Sequence, residues 1–396
     1  MTVEPLIEKL VGRVADFRHK LHRIPELGYE EFKTAAAIRA ELDSLGIAHI
    51  DGVPDAPTAT VAWVGDTSKP CVALRADIDA LPILEKTGLP YASTHEGRMH
   101  ACGHDGHTAT LVGTANLLKS IARELPVCVK FIWQPAEEGG GGAERLVDAG
   151  VLDGRLGPKV HAIFGLHGWP GIKVGSVATK PGVLLAATDC YAATFRGRGC
   201  HGAYPHLGLD PIVTAAEAVL NLQQFVSREF DPTDSAVVTV GTFHAGTAVN
   251  IIPDTAKITG TARTLNDPAR KQIRAALERR CAGIAAANNC ELSFEWIEGY
   301  PPTVNDPAMS DYVADIARKT LGPDRFLPVP RPSMGGEDFA YYLEKVPGCF
   351  FLVGVEPADK NSYPPLHSDR YDFTDAALAV GMRMFAELVR GFSPRA

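Results

Sequence analysis

What most limits how this chain can fold is a change of pattern partway along it. In the first and last parts, short apolar runs that read as strands alternate with amphipathic helical stretches. The strands fall at 58–64, at 71–74 running on to Asp79, and at 127–133, 162–166 and 349–355; the helices fall at 30–45, 108–118 and 375–389. Such alternation predicts an α/β layer on a mostly parallel sheet. From about residue 188 to 297 the order becomes strand (190–195), helix (211–225), strand (236–243), strand (257–262), helix (268–287), strand (291–296). That is the β-α-β-β-α-β order of a ferredoxin-like unit. The expected architecture is a discontinuous α/β domain from 1–187 and 298–396, interrupted by an inserted ferredoxin-like α+β domain at 188–297. A chain of 396 residues is long enough for both. No internal repeat is visible, and low complexity is confined to the run 139–142.

Composition excludes some functions. Lys plus Arg (39) against Asp plus Glu (47) gives a net charge of -8, which argues against a nucleic-acid-binding surface. The start, Met1-Thr2-Val3-Glu4-Pro5, has no basic region followed by an apolar core, so no secretory signal is expected. No apolar run approaches the roughly 20 residues that span a bilayer. The eight cysteines are scattered through a large chain, a usage that fits reduced, buried or functional thiols better than a disulfide framework. The expected compartment is the cytoplasm.

Four stretches could carry chemistry. In His100-Ala101-Cys102-Gly103-His104-Asp105-Gly106-His107, a thiol and imidazoles packed closely suit a borderline-soft cation such as zinc. Read as extended chain, Cys102 and His104 point to the same side, and Gly103 and Gly106 leave the backbone free to wrap an ion. The same residues also fit a buried cysteine beside ordinary histidines. In Trp133-Gln134-Pro135-Ala136-Glu137-Glu138-Gly139, two carboxylates follow an apolar strand, and strand ends in open α/β sheets gather ligand-binding residues. On an extended backbone the pair faces different ways, so one carboxylate can bind metal while the other carries a proton. Phe164-Gly165-Leu166-His167 places a His at the end of another strand. Pro364-Pro365-Leu366-His367-Ser368 places one after a rigid turn. Each His alone suits a structural or surface role; four candidates at strand ends or turns suit a site. His19, His22, His49, His95, His161 and His244 are read as structural or surface residues.

Taken together, His-Ala-Cys-Gly-His-Asp-Gly-His-Thr, Pro-Ala-Glu-Glu-Gly, Gly-Leu-His and Leu-His-Ser resemble the hippurate hydrolase and auxin-conjugate amidohydrolase branch of the aminoacylase–carboxypeptidase metallopeptidase superfamily. The similarity begins at Leu21-His22-Arg23-Ile24-Pro25-Glu26-Leu27-Gly28. It continues through Leu74-Arg75-Ala76-Asp77-Ile78-Asp79-Ala80-Leu81-Pro82 and Gly335-Gly336-Glu337-Asp338-Phe339. The resemblance implies that Cys102, His104, Glu138, His167 and His367 are metal ligands and Glu137 the general base, with Asp79 supporting the ligands from behind. Five protein ligands exceed one tetrahedral ion and fall short of two unless groups are shared, so a bridging thiolate and a bridging water would complete a co-catalytic pair about 3.5–4 Å apart. Zinc or manganese is expected, with cobalt or nickel compatible. The substrate would be a small N-acyl amino acid.

In the inserted domain the resemblance assigns substrate contacts to His201, Asn250 and Arg263. Relatives usually carry Gly where this chain has Cys200. The domain would act as a lid and as the surface of a homodimer or homotetramer, with His201 acting in its own subunit or a partner's. A dipeptidase or carboxypeptidase using the same site is the nearest alternative. A non-catalytic metal-stabilised binding protein would lack a ligand or the base, and none is missing. A structural zinc or redox module would bring several cysteines together, and the chain has no Cys-x-x-Cys.

Overall fold

The computed structural model describes residues 3–359 and 362–393. The chain groups into two compact units: Met1–Leu184 with Val304–Arg331 and Asp338–Ala396, and Leu185–Thr303 with Pro332–Glu337. The second unit is wider than 188–297. Its added pieces are stitched on by backbone bonds, Ala186 N–H to Gly335 O (2.9 Å) and Thr188 N–H to Tyr300 O (3.0 Å).

In the first unit eight strands form one sheet, in the order His49–Val53, Ala56–Val64, Cys128–Gln134, Cys71–Asp77, Val160–Lys173, Gly348–Glu356, Val177–Thr179, Phe326–Pro328. The central strands from Cys128–Gln134 to Gly348–Glu356 run parallel; antiparallel pairs flank them. Every residue of Cys71–Asp77, Cys128–Gln134 and Gly348–Glu356 is buried, as expected of parallel strands covered on both faces. Helices Glu4–His22, His104–Ser120, Pro307–Leu321 and Ala376–Gly391 contribute to the core, where Leu21, Leu117 and Phe385 join Phe131, Trp133 and Phe351 of the sheet.

The second unit holds a four-stranded antiparallel sheet in the order Ala236–Ala245, Thr255–Thr264, Ala187–Arg196, Glu291–Ile297. With helices Pro211–Arg228 and Asp267–Ala287 between its strands, the order is β-α-β-β-α-β. Alternate residues of Thr255–Thr264 are buried. Ala256, Ile258 and Ala262 meet Leu222 and Phe225 of one helix and Ile273 and Leu277 of the other. Both helices start at side-chain caps: Asp210 accepts from Ile212 N, and Asn266 from Ala269 N.

One polar cluster fastens the first unit together. Arg18 is fully buried on helix Glu4–His22 and donates to Asp105 (2.9 Å), Asp375 (2.7 Å) and Asp372. His22, read from sequence as structural or surface, is buried beside it, with Nδ1 2.9 Å from Asp105 and Nε2 3.4 Å from Glu85. Against burial, which lowers it, Asp105 and Glu85 raise the His22 imidazole to about 9. The imidazolium can donate to both carboxylates and the neutral ring to only one. The stabilisation is therefore complete below the unfolded value near 6.5 and disappears as pH rises through about 9. The urea midpoint should fall between pH 7 and 10 by an amount equivalent to about 3 kcal/mol, and His22→Gln should flatten that profile. An equally steep profile in the variant would remove His22 as its cause.

Candidate metal centre

Four stretches of the first unit bring the expected ligands together. Cys102 lies in a turn, and Gly103, at φ +87°, opens the helix His104–Ser120. The stretch is thus not extended, and the helix starts four residues earlier than the sequence pattern indicates. Gly106 does not wrap an ion either. It lies in the first helical turn, where a Cβ would come within 2.3 Å of the Phe373 ring. The turn and the helix together place Cys102 Sγ and a His104 nitrogen within 4.8 Å of each other and of His167.

His167 lies inside a strand, not at its end. Pairing with Cys71–Asp77 stops at Gly165, while pairing with Gly348–Glu356 continues past Leu352, opposite His167. Its Nδ1 is 2.8 Å from Gly168 O, which makes Nδ1 the protonated nitrogen and leaves the Nε2 lone pair 3.3 Å from Cys102 Sγ. His104 follows the same logic: Nδ1–H donates to Asp79 (3.2 Å), and Nε2 is buried with no hydrogen-bond partner among the described residues.

Glu137 and Glu138 occupy a turn, reached through Ala136 at φ +53°. This bend replaces the extended geometry, so the two carboxylates do not diverge. Oxygens of both lie within 4.8 Å of each other and of His104. Asp79 accepts the Glu138 N–H (2.9 Å) with its second oxygen, and so orients two candidate ligands at once. His367 closes the group. Its backbone N–H donates to Ala101 O (2.8 Å), and its Nε2 is 3.2 Å from Glu138 Oε1. It holds φ +64° and its side chain is 53% exposed. Cys102, Glu138 and His367 form a second triad within 4.8 Å, which shares Cys102 with the first.

The electrostatics fit cations. Burial, then the Glu138 and Glu137 carboxylates, push the Cys102 thiol well above its ordinary value, so a thiolate there needs a compensating positive charge. Against burial, Asp77 and Asp79 raise His104 to about 10. A soft thiolate, three imidazoles and a carboxylate suit zinc and its neighbours.

Two residues behind the candidate ligands, Asp77 and His107, lie in the motifs read from sequence but were given no role there. Asp77 is fully buried; although burial raises its carboxyl, His104, His107 and Arg75 hold it well below the usual range. It accepts from His107 Nδ1 (2.6 Å), and His107 Nε2 accepts the Gly168 N–H (2.8 Å). His107 thus has both ring nitrogens engaged and anchors the strand next to His167. Asp77 is two residues before Asp79 on an extended segment, so alternation alone put both on one face. In the second unit, His201 pairs with Ile251, next to Asn250, and both are exposed. Arg263 lies toward the far end of Thr255–Thr264, opposite Thr188, roughly 25 Å of strand from Thr255. Cys200, half-buried, sits 3.5 Å from Tyr204 O.

Fold and site define an α/β protein with a partly buried cluster of Cys, His and Glu side chains of the kind that hold divalent cations. The family model for Peptidase family M20/M25/M40 matches residues 73–391, and the chain belongs to that family. It is 43% identical over 363 residues to an N-acetyl-L-cysteine deacetylase of Bacillus subtilis (90% of this chain, 82% of that protein). It is 39% identical over 375 residues to the IAA-amino acid hydrolase ILR1-like 4 of Arabidopsis thaliana (94% and 83%). Among solved structures, the Bacillus subtilis YxeP protein, described as a dinuclear metal-binding peptidase, matches with a TM-score of 0.81 at 38% identity (96% and 98%). Among the described residues no helix is long and apolar enough to cross a membrane.

Proposed function

We propose that this chain is a metal-dependent amidohydrolase that cleaves the amide bond of small N-acyl amino acids, giving a carboxylic acid and a free amino acid. The observation that carries the reading is the pair of donor triads sharing Cys102, a donor set that would hold two cations. Cys102, His104, Glu138, His167 and His367 would hold them; zinc or manganese fits the donors, and cobalt or nickel is compatible. Divalent cations bound there supply carbonyl polarisation and acidify water. Glu137, buried beside His104 and Glu138, takes the proton of the attacking water and returns it to the departing amine nitrogen. Asp79 fixes the His104 ring and the Glu138 backbone. Asp77 and His107 hold the strand that carries His167.

His201, Asn250 and Arg263 are assigned to substrate contacts, and the inserted unit to a lid and to homodimer or homotetramer formation. Exposed Val213, Leu220 and Val249 on that unit support its burial against a second copy. The cytoplasm is the proposed compartment.

The test is elemental analysis combined with a substrate screen. The protein should carry close to two equivalents of metal and release acetate or benzoate from N-acyl amino acids. Dialysis against a chelator should abolish turnover, and added zinc or manganese should restore it. A preference for free dipeptides would transfer the site to peptidase chemistry, and full activity in the stripped protein would end the metal assignment.

A further inference from the structure

The segment that follows Leu21-His22-Arg23-Ile24-Pro25-Glu26-Leu27-Gly28 has no part in the chemistry above, yet it lies against the loop that carries Glu137. Glu31 is fully buried. One carboxylate oxygen accepts the Ala136 N–H (2.9 Å) and the other accepts the Thr58 hydroxyl (2.6 Å). Ala136 holds φ +53°, a conformation that residues with a side chain seldom adopt and that persists only where the surroundings impose it. Its carbonyl is held from the other side by the N–H groups of Gly140 (3.2 Å) and Gly142 (3.3 Å). Tyr29 reaches the same loop, its hydroxyl donating to Gly140 O (2.7 Å). Gly28 lets the two segments approach, since a Cβ there would be 3.0 Å from the Ala136 Cβ. Glu138, one residue beyond the base, has a separate anchor in Asp79.

We propose that Glu31 is a positioning residue for the general base: its carboxylate holds Ala136 in the left-handed conformation that aims Glu137. This rests on the assignment of Glu137 as the base. Glu138 is held from Asp79, so the role separates from metal binding. Glu31→Ala should keep two equivalents of metal and a KM within about threefold of the parent, while kcat falls about 10²-fold, the scale of a misplacement near 1 Å. Glu31→Gln retains an oxygen for the Ala136 N–H and should keep most of the activity. Ala136→Gly placed on Glu31→Ala should recover about tenfold in kcat, because glycine holds a positive φ without help. Glu31→Asp, with a shorter reach, should lower kcat about tenfold with the metal count unchanged, and it carries the test if the Ala variant does not fold.

The measurements are metal stoichiometry, melting temperature and the separate kcat and KM values. Parental kcat in both Glu31→Ala and Glu31→Asp would overturn the role. So would a loss of kcat that tracks metal loss and is relieved by neither Gln nor the Ala136→Gly background. A parent protein that binds no metal, or a Glu137→Gln variant with parental turnover, would instead undo the reading beneath.

Discussion

Glu137→Gln is expected to fold, to hold two equivalents of metal and to turn over N-acyl amino acids about 10³-fold more slowly than the parent. The amide has nearly the size and shape of the carboxylate, so the buried position is filled without a void. It cannot accept a proton at neutral pH, and the attacking water and the leaving nitrogen then lose their common carrier. Metal retention is expected because Cys102, His104, Glu138, His167 and His367 supply the two triads without Glu137. The loss should fall on kcat, with KM little changed, because proton transfer belongs to the transition state. Elemental analysis and steady-state kinetics on one preparation decide the matter. Unchanged turnover removes Glu137 as the base, and a fall in bound metal makes it a ligand.

The largest effect on stability is expected from Arg75→Met. Arg75 is fully buried in a central strand and donates to Asp77 (2.7 Å), Asp338 (2.9 Å) and Gln134 (2.8 Å). Met fills similar volume but leaves buried Asp338 without its counter-charge and Asp77 with only His104 and His107, and breaking a buried pair in this way costs about 3–5 kcal/mol. That is a large part of the 5–15 kcal/mol, roughly, that holds a domain folded. Asp338 is already raised to about 6, by burial that outweighs Arg75. Without the guanidinium it moves further up, so the penalty applies where the carboxyl must ionise and eases as pH falls. The variant should therefore lose less at pH 5 than at pH 8, and Arg75→Met/Asp338→Asn should recover part of the deficit. Denaturant midpoints in the presence of a chelator read this directly, since bound cations would add their own stabilisation by mass action. A single variant as stable as the parent at pH 8 would show that the charges compensate by other routes.

The central strands were visible because apolar runs such as 349–355 have few other uses, and the ferredoxin-like order followed from alternation and helical period. The candidate ligands stood out because Cys, His and Glu next to apolar runs and rigid turns are chemically unusual. The supports behind them did not. Arg75 and Asp338 are 263 residues apart, and Glu31 and Ala136 are 105 apart; nothing local marks such pairs. Local geometry failed where glycine and strain intervene. Gly103 starts the helix early, and the turn at Ala136 brings together two carboxylates that an extended chain would separate. Arg263 was grouped with His201 and Asn250 by resemblance; strand register places it opposite Thr188 in the four-stranded sheet, while His201 pairs with Ile251 in a separate two-stranded one.

The backbone bond from His367 to Ala101 fastens a late segment of the chain to the turn of Cys102. A ribosome-bound chain that has not yet delivered that loop has only part of the donor set. On the proposed assignment, the triad of Cys102, Glu138 and His367 closes only once that loop has been made and docked, so a filled pair reports that the two segments have met.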